Sequence, residues 1–317
     1  MSAMAASRDG YGEALVQLAD NERVVVLEAD LGKSTKSSTK SCRFRELHPE
    51  RTFCLGITEQ NMMLVAAGLA SSGYKPFAST FAIFTERGFE QIRNGIARPN
   101  HAVHICGSHG GLHTGTDGSS AQSIEDLAIY RTLPNMTVIH PCDDISTERL
   151  TLQLSALSGP SYMRTTRNKR PRIHDDESAA ALRIGKGHVL REGSDVALLA
   201  CGVLVAEALD AADVLATDGI EVTVVDMHTI KPLDSGLVQQ LAADCGALVT
   251  AEDHSIIGGL GGAVAEMLAA NCPVPLERVG VNDTFGESGE GDELLEKYGL
   301  SSEHIIAAAR RAAARKT

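Results

Sequence analysis

No two cysteines in this chain are spaced as C-x-x-C. The seven present (Cys42, Cys54, Cys106, Cys142, Cys201, Cys245 and Cys272) are scattered and odd in number. They read as reduced thiols of a cytoplasmic protein, several of them inside strands. Their spacing gives no sign of a zinc site, and the expectation is no metal held by this chain. Long apolar runs are also missing. No stretch approaches 18 apolar residues, and the N-terminus lacks an apolar segment of signal-peptide length, so a soluble, intracellular protein is expected. Positive charge is in short supply, with 29 Lys and Arg against 41 Asp and Glu and a formal net charge of −12. That balance excludes nucleic acid or an anionic membrane surface as the main partner. Tryptophan is absent, and there is no short-period repeat or low-complexity segment beyond an Ala-rich tail.

What remains is long enough, at 317 residues, for two cores. In the first half, short β-type runs alternate with helical patterns. Val24–Ala29, Thr52–Leu55, Ala102–Cys106, Met136–His140 and Ser161–Thr165 read as buried strands. Asn61–Ala70, Glu86–Ala97 and Asp143–Leu157 carry apolar residues at helical spacing, with Phe89, Ile92 and Ile96 forming one stripe. Such alternation predicts right-handed βαβ units and a mostly parallel sheet covered by helices. The polar, basic stretch from Thr165 to Glu177 reads as a linker, and the basic run Arg164–Arg172 most simply as solvated. Beyond it lies a second α/β series. It comprises a hairpin at Ile184–Arg191, strands at Val196–Ala200, Val222–Asp226 and Ala247–Ala251, and a last helix from about Ser302. The fold class is therefore α/β, with two domains, each a mostly parallel sheet flanked by helices.

In such sheets ligands bind outside the carboxyl ends of the strands, which directs attention to four loops. One is Asp30-Leu-Gly-Lys-Ser34-Thr35. The second carries Glu59, where an apolar strand gives way to a helix. A carboxyl buried at a sheet mouth suits proton chemistry; its position equally fits a first-turn acid favoured by the helix dipole, with Thr58 as cap. The third is Ser79-Thr-Phe81-Ala-Ile-Phe84, whose two aromatics are most simply core residues. The fourth, Gly107 to Ser120, is glycine-rich and bears His109, His113 and Asp117, groups able to bind phosphate or a sugar hydroxyl. An arginine of the basic run could also contact phosphate. Gly258-Gly-Leu-Gly-Gly262 lacks the G-x-G-x-x-G spacing and reads as a turn and helix start.

Taken together, these loops resemble the C-terminal half of transketolase. The resemblance runs from about Arg8 to Arg315. It rests on Gly56-Ile-Thr-Glu59-Gln-Asn-Met62, Ser79-Thr-Phe81-Ala-Ile-Phe84, Gly115-Thr-Asp117-Gly-Ser-Ser-Ala-Gln122-Ser-Ile-Glu125 and Ser161-Tyr-Met-Arg-Thr-Thr-Arg167, in order at matching separations. Lys231-Pro-Leu-Asp234 and Glu252-Asp-His-Ser255 are typical of the family's C-terminal domain. The resemblance implies a pyrimidine-binding domain over 1–170, a linker over 171–183 and a C-terminal domain over 184–317.

It also implies a thiamine diphosphate enzyme. The family acid at Glu59's position hydrogen-bonds N1′ of the aminopyrimidine and promotes the imino tautomer, which removes the thiazolium C2 proton. The resemblance implies that Phe81, Phe84 and Asp30 join Glu59 around the cofactor. Asp117 matches the acid that reads a substrate hydroxyl beside the carbonyl. Arg8, Ser34, His109 and Arg167 fall where the family holds the sugar's terminal phosphate. Two positions depart from the pattern. Ala121 stands where a histidine is usual, with His113 or a partner chain as replacement donor, and Arg87 stands where a tyrosine is common. No Gly-Asp-Gly motif occurs, so Mg²⁺ and the diphosphate are expected on a partner subunit, in a two-plus-two heterotetramer. The implied activity is transfer of a two-carbon ketol unit between sugar phosphates. Alternatives are a transferase for an unusual branched sugar phosphate, a 1-deoxyxylulose-5-phosphate synthase-like chain, a 2-oxo acid dehydrogenase β-like subunit and a non-catalytic partner-binding paralogue.

Overall fold

Val24–Glu28 is buried along its whole length, as are His104–Ser108, Ser161–Thr165, Val196–Ala200 and Val222–Asp226. Strands covered on both faces show no strict polar alternation and are rich in apolar residues, and their buried polar groups must be paired inside the fold. The computed structural model describes residues 3–36 and 44–316. Cys42 lies outside them, and the other six cysteines are free thiols.

Two larger sheets organise the chain. The first has seven strands, in the order Thr229–Lys231, Thr137–Ile139, Ser161–Thr165, His104–Ser108, Lys75–Phe81, Val24–Glu28 and Thr52–Cys54. Every neighbouring pair is parallel except Thr229–Lys231 against Thr137–Ile139. The second has five, in the order Leu276–Val281, Leu248–Ser255, Val196–Ala200, Val222–Asp226 and His188–Arg191, with only the last antiparallel. The two-domain α/β expectation with mostly parallel sheets holds. Thr229–Lys231, from the second half of the chain, closes the edge of the first sheet. No helix among the described residues is long and apolar enough to cross a membrane.

Four local expectations need correction. Ser79–Phe81 is not a loop but the end of a seven-residue strand, Lys75–Phe81, inside the sheet between His104–Ser108 and Val24–Glu28; Pro76 near its start masks the strand pattern. The expected helix at Glu86–Ala97 is broken into a 3₁₀ turn, a short α-helix and a π-helix at Ile92–Ala97, although Ile92 and Ile96 are fully buried as the stripe requires. There is no hairpin at Ile184–Arg191. Gly185 N donates to Thr229 Oγ1 and Gly187 N to Asp234 Oδ2, and His188–Arg191 pairs with Val222–Asp226 instead. Finally, the basic run is no solvated linker. Arg164 is wholly buried against Asp126, Arg170 is bonded to Glu207 and Asp292, and Arg172 to Asp144.

Candidate active site

Helix Ser7–Gln17 delivers Arg8. Its inner face (Tyr11, Ala14, Leu15) is buried, and Gly10 comes so close to the helix Asp144–Leu154 that a Cβ there would lie 1.9 Å from the Asp144 carbonyl oxygen. The helix start is pinned by Ser7 Oγ, 2.9 Å from Thr166 Oγ1 and accepting from Thr166 N at 2.7 Å. Thr166 precedes Arg167, so this pin draws Arg8 and Arg167 to the same edge of the sheet. Arg8 Nη1 donates to the Ser34 carbonyl at 2.8 Å and lies 3.4 Å from His109 Nε2. Arg167 donates to Asp117 Oδ1 at 2.8 Å. Arg8, Ser34 and His109 thus form one contact set and Arg167 and Asp117 another, close enough that the Arg167 charge bears on both Arg8 and His109. Arg8 Nε is buried and has no partner among the described residues, so the cleft keeps a guanidinium donor in reserve.

His109 is buried. That burial, reinforced by the Arg8 and Arg167 charges, pushes its pKa down to about 3, so it works as a neutral ring at physiological pH. Burial also lowers the pKa of Arg8, with Asp9 opposing the effect. His109 stacks on Phe81 with centroids 3.9 Å apart, and Phe81 stacks on Phe84 at 5.5 Å with the rings 4° from parallel. The arginine cleft is thus joined through stacked rings to a second pocket of ≈ 210 Å³. Ala29, Asp30, Leu31, Ile57, Glu59, Phe84 and Arg87 line it.

Glu59, at the first position of helix Glu59–Ser71, is only 2% exposed. Arg87 Nε stands 3.9 Å from its Oε2, on a side chain 63% exposed. Thr58 makes no side-chain cap bond; its hydroxyl donates to the Leu55 carbonyl. Apolar walls, a flat aromatic and one buried carboxyl suit a heteroaromatic ring that must hydrogen-bond a carboxyl group, as the aminopyrimidine of thiamine does. Asp30 and His109 both take left-handed backbone conformations, φ 60° and 62°, just beyond the ends of Val24–Glu28 and His104–Ser108, the two parallel strands that flank Lys75–Phe81. Non-glycine residues in this region are uncommon and cluster at functional sites.

His113 is not brought to the Glu59 pocket. It is buried, with Nε2 3.2 Å from Asp292 Oδ1, and its backbone N donates to Asp253 Oδ2. Two contributors were missed by reasoning from the sequence. Asp253 accepts from the backbone N of Leu112 and His113 at 2.8 and 3.0 Å, so the second domain holds the glycine-rich loop of the first. Gly111 has φ +82°, and a Cβ there would sit 2.2 Å from Asp253 Oδ2, so only glycine allows this approach. The Glu252-Asp-His-Ser255 stretch is the one signal that could have pointed to it. Its neighbour Glu252 accepts from Leu260 N and Gly261 N, filling the glycine-rich helix start with an internal carboxylate. The second missed residue is Glu86, which accepts from Ser123 Oγ at 2.6 Å. Burial, with Asp126 and Glu125 nearby, pushes its pKa up to about 8 against the Ser123 bond and the Arg164 charge, leaving it protonated at neutral pH. No periodicity marks it.

Arg164 ties these parts together. It pairs with Asp126, both side chains fully buried, and donates to the Asp253 carbonyl at 2.6 Å and the Ser123 carbonyl at 3.2 Å. Tyr162 OH donates to Asp126 Oδ2 at 2.5 Å. Arg164 and the bonds to Asp126 hold that carboxyl down at about 2 despite its burial.

Comparison with known proteins agrees with this arrangement. Residues 3–172 match the family described as transketolase, pyrimidine binding domain, and residues 185–305 match transketolase, C-terminal domain. A transketolase C-terminal section described as putative, from Methanocaldococcus jannaschii, is 45% identical over 94% of this chain and 93% of its own length. A 6-deoxy-6-sulfo-D-fructose transketolase subunit from a Clostridium species is 43% identical over 98% of this chain and 95% of its own. A solved split-gene transketolase, described as an inactive β4 tetramer, superposes with a TM-score of 0.91 at 47% identity, covering 99% of this chain and all of that one. A pyrimidine-binding domain of this kind implies thiamine diphosphate use. The chain belongs to the transketolase family, as the C-terminal section of a split transketolase.

Proposed function

We propose that this chain is the pyrimidine-binding subunit of a thiamine diphosphate-dependent ketol transferase, which moves a two-carbon unit from a ketose phosphate to an aldose phosphate. The observation that carries this reading is the cluster of Arg8, Ser34 and His109, with the Arg167–Asp117 pair close by, joined by the His109–Phe81–Phe84 stack to the Glu59 pocket. Two guanidinium groups at one end suit a terminal oxyanion. The buried carboxyl at the other end suits an aminopyrimidine.

When bound, the cofactor supplies a nucleophilic carbon and an electron sink for breaking a bond beside a carbonyl. In this reading Glu59 holds a proton at the pyrimidine ring nitrogen, and Asp30, Phe81 and Phe84 hold the ring against it. Asp117, kept in place by Arg167, reads the substrate hydroxyl beside the carbonyl. Arg8, Ser34 and neutral His109 hold the terminal phosphate with Arg167. His113, bonded to Asp292, suits anchoring the loop to the second domain rather than proton donation. Mg²⁺ and the diphosphate fall to a partner subunit. The descriptions of the relatives as a C-terminal section and a subunit support that division, and the β4 tetramer of the solved relative supports self-association of this chain within the assembly. A cytoplasmic location fits six free thiols among the described residues.

The Clostridium relative acts on a sugar sulfonate by its name, and the same arginine cleft would accept a terminal sulfonate. Steady-state turnover of the assembled enzyme with Glu59→Gln tests the central role. A positioned proton-transfer group contributes roughly 10²–10⁴-fold, so kcat should fall by that order while the protein stays folded. An unchanged rate removes Glu59 from the chemistry.

A further inference from the structure

Three side chains that neither pocket uses converge where the two domains and the segment between them meet. Cys142 follows the strand Thr137–Ile139, His174 lies just after the short strand Arg170–Pro171, and Asp226 ends the strand Val222–Asp226. Asp226 Oδ2 is 3.5 Å from Cys142 Sγ and 3.0 Å from His174 Nε2. The three donor atoms all lie within 4.8 Å of one another. Both His174 and Asp226 side chains are completely buried, and Cys142 is 5% exposed. Asp226 Oδ1 and His174 Nδ1 are buried without a hydrogen-bond partner among the described residues. The backbone of His174 is held firmly, since its N and that of Ile173 both donate to Asp143 Oδ2 at 2.8 Å.

A thiol, an imidazole and a carboxylate meeting at one buried point form a ligand set that suits zinc, whose sites are built from Cys, His and Asp or Glu. With bonds of about 2.0–2.3 Å, the donors of a tetrahedral zinc stand roughly 3.3–3.8 Å apart. The two separations from Asp226 Oδ2, 3.0 and 3.5 Å, come within a few tenths of an ångström of that range, and the thiol and imidazole donors lie within 4.8 Å of each other. Coordination would also give the buried Asp226 carboxylate a full positive counter-charge, where otherwise half of it is left without a partner.

We propose that Cys142, His174 and Asp226 form a binding site for one zinc ion, separate from the active site. The fourth position is left to water or to His188, whose ring centroid is 5.3 Å from that of His174. The ion fastens the first sheet, the connecting segment and the second sheet at a single point, so its contribution is structural. As the zinc–sulfur bond forms, the thiol proton passes to solvent and nothing is oxidised or reduced.

The test uses the full chain, stripped with chelator and titrated with Zn²⁺ and, separately, Co²⁺. The expected result is one equivalent of zinc bound with a raised Tm, and for cobalt a thiolate charge-transfer band with the visible bands of a tetrahedral site. Cys142→Ser should abolish the charge-transfer band and weaken zinc binding at least tenfold; Asp226→Asn should weaken it too. Zinc X-ray absorption on the unaltered protein, which needs no variant to fold, should report a single sulfur ligand. The absence of stoichiometric zinc binding, a first shell without sulfur, or equal binding by Cys142→Ser overturns the proposal and leaves a buried His174–Asp226 pair with a neighbouring thiol.

Discussion

Replacing Arg8 by alanine isolates the anion-binding end of the site. The side chain offers Nη1, bonded to the Ser34 carbonyl and 3.4 Å from His109, and Nε, buried without a partner. A hydrogen bond to a charged group is worth about 1.5–3 kcal/mol. At about 1.4 kcal/mol per factor of ten, losing one such bond to a terminal phosphate lowers kcat/KM by about 10- to 150-fold. Arg8 is half-buried, so solvent screening favours the lower end of that range. Arg8→Lys retains the charge without the forked geometry and should lose less. The assay is steady-state ketol transfer by the assembled enzyme, comparing a phosphorylated aldose acceptor with its unphosphorylated counterpart. The phosphorylated acceptor should carry nearly the whole loss, mainly in KM. A thermal melt guards against unfolding, because the helix start is held independently by Ser7 and Thr166. Equal losses with both acceptors would refute the anchoring role, as would a loss below about threefold, which falls short of one charged hydrogen bond.

Further outcomes can be measured without knowing the natural sugar. Asp126→Asn strands the buried Arg164 charge; breaking such a pair costs about 3–5 kcal/mol, visible as a shifted denaturation midpoint, and a cost below about 1 kcal/mol would mean that the Arg164 charge does not depend on Asp126. His104 is buried, and burial followed by the Lys75 charge lowers its pKa to about 3 from an ordinary 6.5. Between those values the unfolded chain binds a proton that the folded chain does not, so stability falls as pH drops from about 6.5 towards 3, by at most about 1.4 kcal/mol per pH unit. His104→Asn can still meet Ser161 Oγ and should flatten that slope by one proton; an unaltered slope assigns the acid sensitivity elsewhere. Arg87 faces Glu59 at 3.9 Å from an exposed side chain. Glu59 is buried, but the long 3.9 Å contact comes from an arginine that stays in water and is screened there, at about 0–1 kcal/mol, so Arg87→Ala should alter cofactor affinity in the assembled enzyme by less than about fivefold. A hundredfold change in titration calorimetry would make Arg87 a cofactor ligand.

Strand, helix and carboxyl-edge loops are local matters, and the chain declares them locally. The buried parallel strands Ser161–Thr165, Val196–Ala200 and Val222–Asp226 appear with the same limits in the sequence as in the fold, because strands covered on both faces are rich in apolar and β-branched residues and are bounded by polar or turn residues. The family motifs likewise marked Glu59, Phe81, His109 and Asp117 as candidate site residues, because motif and spacing are local properties of the chain. Lys75–Phe81 and the His188–Arg191 pairing were harder to see. A proline obscured the first, and the second depends on which distant backbone groups supply hydrogen bonds.

Contacts across long separations belong to the tertiary structure alone. Composition made Arg164 look like part of a solvated basic run, but burial beside Asp126 and the Asp253 carbonyl makes it a tie between domains. Asp253 reaches 140 residues back to hold the His113 backbone, and no spacing rule relates the two. Cys142, His174 and Asp226 are likewise far apart in the chain, without any metal-binding pattern, yet three chain segments place their donor atoms at one point. Periodicity and motif are written residue by residue along the chain. The meeting of charges is decided when sheets and helices close on one another and water is driven from between them.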